Sequence, residues 1–337
     1  MDLISIIVPC YNEEEALPLF YRELQQVMTQ MELTTFEVIF VDDGSSDGTL
    51  AWMRELHRRD KRCRYLSFSR NFGKEAAIYA GLLHAEGDYV ATMDADLQDP
   101  PALLPQMYRV LREEDYECAA ARRVTREGEP GLRSFLSKQF YHCANRISQV
   151  EFKDGARDFR LMSRKMVQAV LELGEYNRFS KGMFSWVGFR TKWLDYENVE
   201  RAAGETKWSL RKLFLYALEG IAGFSTAPLM AAAVCGCIVC MLALLFGVAG
   251  IGALFAGTSL WAGAFLLAGL VLLVSGVQLL CGGISSWYLA RTYLEVKHRP
   301  VFILQESGGG QEHAEKKCIF ETIVPKKGEE TQYGTSA

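Results

Sequence analysis

The sequence predicts an α/β domain on a mainly parallel sheet, followed by a two-helix transmembrane hairpin. Three observations carry that expectation. Up to about Trp208 the sequence is mixed and charged, and short apolar runs alternate with amphipathic helical stretches, the pattern of parallel strands joined by crossover helices. Carboxylate-rich clusters recur just after those runs, at the strand ends where open parallel sheets gather ligands. From Gly220 to Ala290 there is no Asp, Glu, Lys or Arg, which is the composition of a membrane region.

Taken in order, Leu3 to Val8 is an apolar, β-branched run closed by Pro9, a strand buried on both faces. Met1 to Pro9 lacks a basic leader region and a small-residue cleavage site, so it reads as this strand rather than as a signal peptide. Asn12 is placed to cap the next helix and Glu13 to Glu15 suit its positive end. Leu17, Phe20, Leu24, Val27 and Met31 mark the helix's inner face. Phe36 to Val41 is a second strand, ending in the loop Asp42-Asp43-Gly44-Ser45-Ser46-Asp47-Gly48. Tyr65 to Phe68 is a third strand, Glu75 to Ala85 a helix, and Asp88 to Met93 a fourth strand.

That fourth strand runs into Asp94-Ala95-Asp96-Leu97-Gln98-Asp99-Pro100-Pro101. On an extended chain, residues two apart point the same way, so Asp94 and Asp96 could share one hard cation, with phosphate oxygens completing its shell. Turn and capping chemistry is the plain alternative for such a short pattern. Pro100 and Pro101 suit the first turn of a helix.

Cys118 to Ala121 is a further strand, followed by Arg122 and Arg123, with Arg133 beyond; forked guanidiniums suit phosphate, and an exposed basic loop is the alternative. Leu132 to Val150 has apolar residues at helical spacing, with Arg133, Lys138, His142 and Arg146 between them. That fits a basic amphipathic helix at an anionic membrane surface, or an ordinary helix at a domain edge.

Trp208 to Ile221 reads as an interfacial helix, and Pro228 opens the first apolar span. About 230–252 and 264–286 are the two spans, each on the order of 34 Å at 1.5 Å per residue. Arg211 and Lys212 precede them and Arg291, Lys297 and Arg299 follow, so the positive-inside rule puts both ends in the cytoplasm. The tail from Gln305 onward is polar and expected to be mobile, with Cys318 to Val324 as a candidate edge strand. The predicted organisation is a catalytic domain over 1–207, a juxtamembrane helix over 208–228, two membrane helices within 229–290 and a partly disordered cytoplasmic tail over 291–337.

Composition excludes some classes. A net charge of −4 and the lack of a basic arm or a Cys/His module argue against nucleic acid as a partner. The nine cysteines lack a paired pattern and read as reduced thiols.

Ser-Ile-Ile-Val-Pro-Cys-Tyr-Asn-Glu-Glu, then Val-Asp-Asp-Gly-Ser-Ser-Asp-Gly-Thr, then Met-Asp-Ala-Asp-Leu-Gln-Asp-Pro-Pro together resemble family 2 glycosyltransferases of the GT-A fold. Asn71-Phe72-Gly73-Lys74 and Gly155-Ala156-Arg157-Asp158-Phe159-Arg160-Leu161-Met162 resemble the branch that acts on polyisoprenyl phosphates, including bactoprenol glucosyltransferases and dolichyl-phosphate mannose synthases. The resemblance covers roughly Leu3 to Arg299.

It implies that Pro9, Tyr11, Asn12, Glu13, Asp42, Asp43 and Asp94 line a nucleotide-sugar site. Asp94 and Asp96 would hold Mg²⁺ or Mn²⁺ against the diphosphate, and Gln98 would stand near the metal and sugar. Asp158 occupies the position assigned as catalytic base, although an acceptor phosphate is already mostly ionised and the role could be orientation; an ion pair with Arg157 or Arg160 is the bland alternative. The segments around Arg178 and Lys181 and around Arg201 and Lys207 resemble acceptor- and diphosphate-proximal parts of the family. Arg201 and Lys207 would close over the donor phosphates, while Arg122, Arg123, Arg133, Arg178 and Lys181 are candidates for the acceptor phosphate.

The reading that follows is inverting, metal-dependent transfer of one sugar, UDP-glucose favoured, to undecaprenyl phosphate by a homo-oligomer, a tetramer among the assemblies allowed, in the plasma membrane. GDP-mannose or another UDP-sugar as donor, diacylglycerol as acceptor, and a non-catalytic membrane scaffold are alternatives. A processive polysaccharide synthase fits less well, because the Gln-x-x-Arg-Trp signature is absent and two spans are too few for an export channel.

Overall fold

The computed structural model describes residues 1–124, 153, 155–197, 227–255 and 260–309. Eight strands form one sheet: β1 (Asp2–Cys10), β2 (Thr34–Asp42), β3 (Cys63–Phe68), β4 (Tyr89–Thr92), β5 (Cys118–Arg123), β6 (Ala156–Ser163), β7 (Thr191–Tyr196) and β8 (Leu304–Gly308). Their spatial order is β7-β5-β6-β4-β1-β2-β3-β8. The centre, β3-β2-β1-β4, is parallel throughout. β6 runs antiparallel to both β4 and β5, while β5 and β7 are parallel to each other. The sheet is therefore the mixed α/β sheet of the GT-A type.

Helices cover both faces. Along β1, Ile4, Ile6 and Val8 pack into one core with Leu17, Phe20 and Leu24 of α1 (Ala16–Gln30), Met53 of α2 (Thr49–Arg59) and Leu104 and Met107 of α4 (Leu104–Glu113). Ile7 faces the other core, with Ala77 and Ala80 of α3 (Lys74–His84), Met166 and Val170 of α5 (Arg164–Glu172) and Phe184 of α6 (Ser180–Trp186). That alternation is the two-residue period of a strand buried on both sides. Each such fully buried Ile or Phe contributes roughly 1.5–3 kcal/mol of burial. The helical pair follows: α7 (Ala227–Phe255), with Pro228 near its start, and α8 (Leu260–Val296). They pack together, the Cys281 thiol donating to the Ala232 carbonyl at 3.2 Å. Within α8, Leu267–Val296 is long and apolar enough to cross a membrane.

Several expectations change. Asn12 does not cap α1, because the helix begins at Ala16 and Asn12 lies in left-handed backbone at φ 55°. Glu13 instead receives the backbone N–H groups of Ala16 and Leu17 on its carbonyl. The chain after Gln305 is not wholly a tail. Leu304–Gly308 is edge strand β8, antiparallel to β3. Phe302 stacks on Phe68 with centroids 5.0 Å apart, Ile303 accepts the Ser69 N–H at 3.0 Å, and Glu306 takes a bidentate pair from Arg54 at 2.7 Å. Residues 301–308 thus belong to the catalytic sheet and not to the predicted tail. The predicted helices over 132–150 and 208–221 and the candidate strand at 318–324 lie outside the described residues.

Candidate active site

The carboxyl ends of β1, β2 and β4 lie side by side, and β6, being antiparallel, brings its first residues to the same rim. The β1 and β2 loops are knitted together. Asn12 accepts the Ser46 N–H on its Oδ1 at 2.8 Å and donates its own N–H to Ser45 Oγ at 3.0 Å; Glu13 N–H reaches Thr49 Oγ1 at 2.9 Å. Pro9 sits within β1 opposite Val41, and Tyr11 stands at the edge, 40% exposed.

Asp42 and Asp43, adjacent in sequence, are held differently. Asp42 accepts Ser45 N–H at 3.0 Å and Ser67 Oγ at 2.8 Å, so both carboxylate oxygens serve the turn and the sheet. These contacts close a turn after β2 and tie it to β3; they cap no helix, since α2 begins only at Thr49. Asp43 turns to the loop before α3 and accepts the N–H groups of Phe72 at 2.6 Å and Gly73 at 3.0 Å. Burial pushes its pKa up to about 6, against the lowering effect of those two backbone donors. Gly44, at φ 68°, lets the loop pass against Arg70 and Asn71; a Cβ there would lie 2.5 Å from the Arg70 carbonyl carbon.

Asp94 and Asp96 do not share a strand face. β4 ends at Thr92, and the two aspartates lie in a turn that contains Leu97 at φ 57°, so the strand parity expected for them does not apply. Gln98 donates its N–H to Asp96 Oδ1 at 3.1 Å, and Gln98 Oε1 accepts from Arg157 at 3.2 Å. Arg157 also pairs with Asp99 at 2.8 Å, and the Tyr196 hydroxyl bonds the same Asp99 oxygen. Burial raises the Asp99 pKa despite Arg157, and its second oxygen has no partner among the described residues.

At the centre is a residue that motif reading quoted without assigning a role. Lys74, the first residue of α3, places its ammonium 2.7 Å from Asp94 Oδ1 and in direct contact with Asp158. Lys181, in the first turn of α6, comes within 3.7 Å of the other Asp158 oxygen and donates to the Ala156 carbonyl at 3.2 Å. Asp158 therefore pairs with two lysines, not with Arg157 or Arg160; Arg160 instead lies 4.0 Å over the Phe184 ring. Burial opposes charge on Asp158, but Lys74 and then Lys181 outweigh it and hold the carboxyl well below the usual carboxylate range. Burial likewise opposes the Lys74 charge, and Asp158 and Asp94 raise its proton affinity well above the ordinary lysine value. The signal that could have found Lys74 is its place at the end of Asn71-Phe72-Gly73, directly after a strand and opening a helix.

The acceptor candidates separate. Arg122 is tied bidentately to Asp195 at 2.6 and 2.7 Å, and Arg123 closes β5, donating its N–H to Gly155 at 3.0 Å. Arg178 donates to the carbonyls of Leu173 and Val170 and lies 4.0 Å over the Tyr79 ring. Lys181 is at the centre. Arg133, Arg201 and Lys207 lie outside the described residues.

The family model described as glycosyl transferase family 2 matches residues 5–171. CsbB of Bacillus subtilis, which carries the name of a glycosyltransferase, is 41% identical over 90% of this chain and 92% of its own length. The bactoprenol glucosyl transferase from the SfII prophage of Shigella flexneri is 38% identical over 91% of this chain and 99% of its own length. Among solved structures, a mannosyltransferase of Pyrobaculum calidifontis in complex with GDP-Man and Mn²⁺ aligns over 87% of this chain and 86% of that one, at 18% identity and a TM-score of 0.42, a likeness too loose to argue from.

Proposed function

The chain belongs to glycosyl transferase family 2 and is a glycosyltransferase, and on that premise we propose that it transfers one glucose from UDP-glucose to the phosphate of a polyisoprenyl lipid. The observation that carries the acceptor class is the state of Asp158. A carboxylate that must take a proton from a sugar hydroxyl works best with a raised pKa, whereas this one is held ionised by two ammonium groups. Such a group suits an acceptor that arrives already ionised, as a phosphate does. The bactoprenol glucosyl transferases among the relatives support both the lipid and the sugar.

In this reading the donor's base and ribose lie against Tyr11 and Asp43, and Pro9, Asn12 and Glu13 shape the loop around them. Lys74 fixes Asp94 and Asp158 at a set separation, and Lys181 keeps the second Asp158 oxygen turned inward. Arg157 orients Gln98 at the edge of the same pocket. Arg201 and Lys207 close over the donor phosphates.

Asp94 and Asp96 offer oxygen ligands from a single turn, and among the described residues no three acidic, His or Cys side chains form a cage. That donor set fits Mg²⁺ or Mn²⁺, which can be held by one or two carboxylates plus substrate phosphate. When bound, the ion supplies charge neutralisation for the departing nucleoside diphosphate. Transfer is direct and inverting, the lipid phosphate attacking the anomeric carbon. α7 and α8 span the membrane as a hairpin, and the sheet lies on the cytoplasmic side of the plasma membrane, in a homo-oligomer.

The test uses the purified full chain in detergent with undecaprenyl phosphate, Mg²⁺ or Mn²⁺, and radiolabelled UDP- and GDP-sugars, beside an Asp96→Asn variant. Glucose entering the lipid fraction from UDP-glucose alone, and lost in the variant, is the expected result. Release of nucleoside diphosphate with no sugar in lipid would overturn the acceptor, and label from GDP-mannose would overturn the donor.

A further inference from the structure

We propose that Glu75 and Glu295 are positioning residues: two carboxylates, one opening α3 and one near the end of α8, hold the segment 176–181 so that Lys181 stands opposite Lys74 across Asp158. The inference rests on the reading of Asp158 above.

The two ammonium groups that flank Asp158 come from different helices, Lys74 from the start of α3 and Lys181 from the start of α6. A lysine stem is flexible, so its ammonium is well placed only where its backbone is. Here the two backbones are pinned through their neighbours. Glu75, the residue after Lys74, accepts on Oε2 both the backbone N–H of Ser180, at 2.9 Å, and the Ser180 hydroxyl. Ser180, the residue before Lys181, is buried, so losing Glu75 would leave two donors with little water to replace it.

The other end of the segment is anchored to α8. The Glu295 carboxylate accepts the N–H groups of Tyr176, at 3.0 Å to each oxygen, and of Asn177 at 3.3 Å. Between the two anchors Arg178 folds back on the end of α5, donating to the Leu173 carbonyl at 2.7 Å and the Val170 carbonyl at 3.3 Å. Lys181 is the contact with most to lose. Lys74 touches Asp158 directly and is braced by Asp94, whereas Lys181 stands 3.7 Å from its Asp158 oxygen, close to the outer limit of an ion pair at about 4 Å. A shift of about 1 Å at the start of α6 would break it, and a misplacement of that size can cost on the order of a hundredfold in rate. Lys74 remains in place, so the expected loss is smaller.

The experiment measures transfer of radiolabelled glucose from UDP-glucose to undecaprenyl phosphate by the full chain in detergent, for Glu75→Ala, Glu75→Gln and Glu295→Ala. Each kcat is scaled to the folded fraction, read as the stoichiometry of UDP binding by calorimetry. The expected kcat is about tenfold lower in Glu75→Ala and about threefold lower in Glu295→Ala, with KM for either substrate within about twofold of the unaltered chain. Glu75→Gln keeps an acceptor for Ser180 and should recover most of the loss. In an Asp158→Asn background, Glu75→Ala should lower turnover no further, because the anion that Lys181 serves is gone. An unchanged scaled kcat in either alanine variant overturns the role of that carboxylate while leaving the reading of Asp158 intact. A loss in Glu75→Gln as large as in Glu75→Ala, or a full further loss in the Asp158→Asn background, overturns positioning through Lys181. No transfer by the unaltered chain, or an Asp158→Asn variant as active as the unaltered chain, overturns the reading of Asp158 and this one with it.

Discussion

Two carboxylates on one rim, Asp43 and Asp158, are held by opposite means. Asp43, just past the end of β2, is buried and hydrogen-bonded by the backbone N–H groups of Phe72 and Gly73, with Arg70 a weaker influence, and burial lifts its pKa to about 6. Asp158, on β6, is buried against two ammonium groups, and its pKa falls below the usual range. Backbone dipoles position a carboxylate without fully offsetting the cost of burying its charge, whereas cations fix both position and charge. The rim thus carries one acid that titrates near neutrality and one that stays ionised at any working pH.

The largest break in that contrast is Asp158→Asn, which leaves Lys74 and Lys181 without their shared anion. Turnover should fall by about a hundredfold or more, with UDP-glucose affinity by calorimetry nearly unchanged. Unchanged turnover would remove Asp158 from the reaction.

Lys74→Met is the next test, because it moves Asp158 towards the Asp43 condition. The remaining Lys181 contact is longer, at 3.7 Å, so the Asp158 pKa should rise. Turnover should drop roughly tenfold, and the profile of turnover against pH, taken at saturating donor so that the Asp43 effect on UDP affinity does not enter, should gain an acid limb that the unaltered chain lacks. A profile of the same shape in both proteins would mean that Lys74 does not hold the Asp158 charge.

The smallest effect belongs to Asp43→Asn. The folded pKa of Asp43, about 6, lies above its ordinary value, so protonated Asp43 favours the folded state; this contribution is full below about 4 and is lost as pH rises through about 6. Stability of the variant relative to the unaltered chain should therefore improve as pH rises from 4 to 7, by a few degrees in Tm at most. A difference in Tm that stays flat across this window would show Asp43 to be ionised throughout. The carboxylate's share in donor binding is read separately, as a fall in UDP affinity below about pH 6 that the variant does not show.

Much of this was legible in the sequence, for identifiable reasons. The central parallel strands are apolar runs punctuated by Pro, Gly or Asp, and the clusters after them mark the rim. Ala156–Ser163 was read as a motif and not as a strand, since Arg-Asp-Phe-Arg does not alternate in a way that marks a strand inverted between β4 and β5. Leu304–Gly308 is too polar to show a strand period, and only β3 and the Phe68–Phe302 stack make it one. Nor can a pattern say that Asp42 turns to Ser67 while Asp43 turns to Gly73, or that Lys74 falls between carboxylates 20 and 84 residues away. These are tertiary meetings, and local spacing carries no trace of them.

The return of the chain as β8 has a mechanical consequence. The helical pair lies in sequence between β7 and β8, and those strands are the two opposite margins of the sheet. Seven interstrand spacings of about 4.8 Å separate them, on the order of 30 Å before twist is counted. A domain hung from one margin would swivel about a single point. The β8 attachment opposes that swivel with a second tie: α8 ends at Val296, β8 begins at Leu304, and the Glu295 carboxylate takes the N–H groups of Tyr176 and Asn177 in the loop before α6, so the foot of α8 is held at two places.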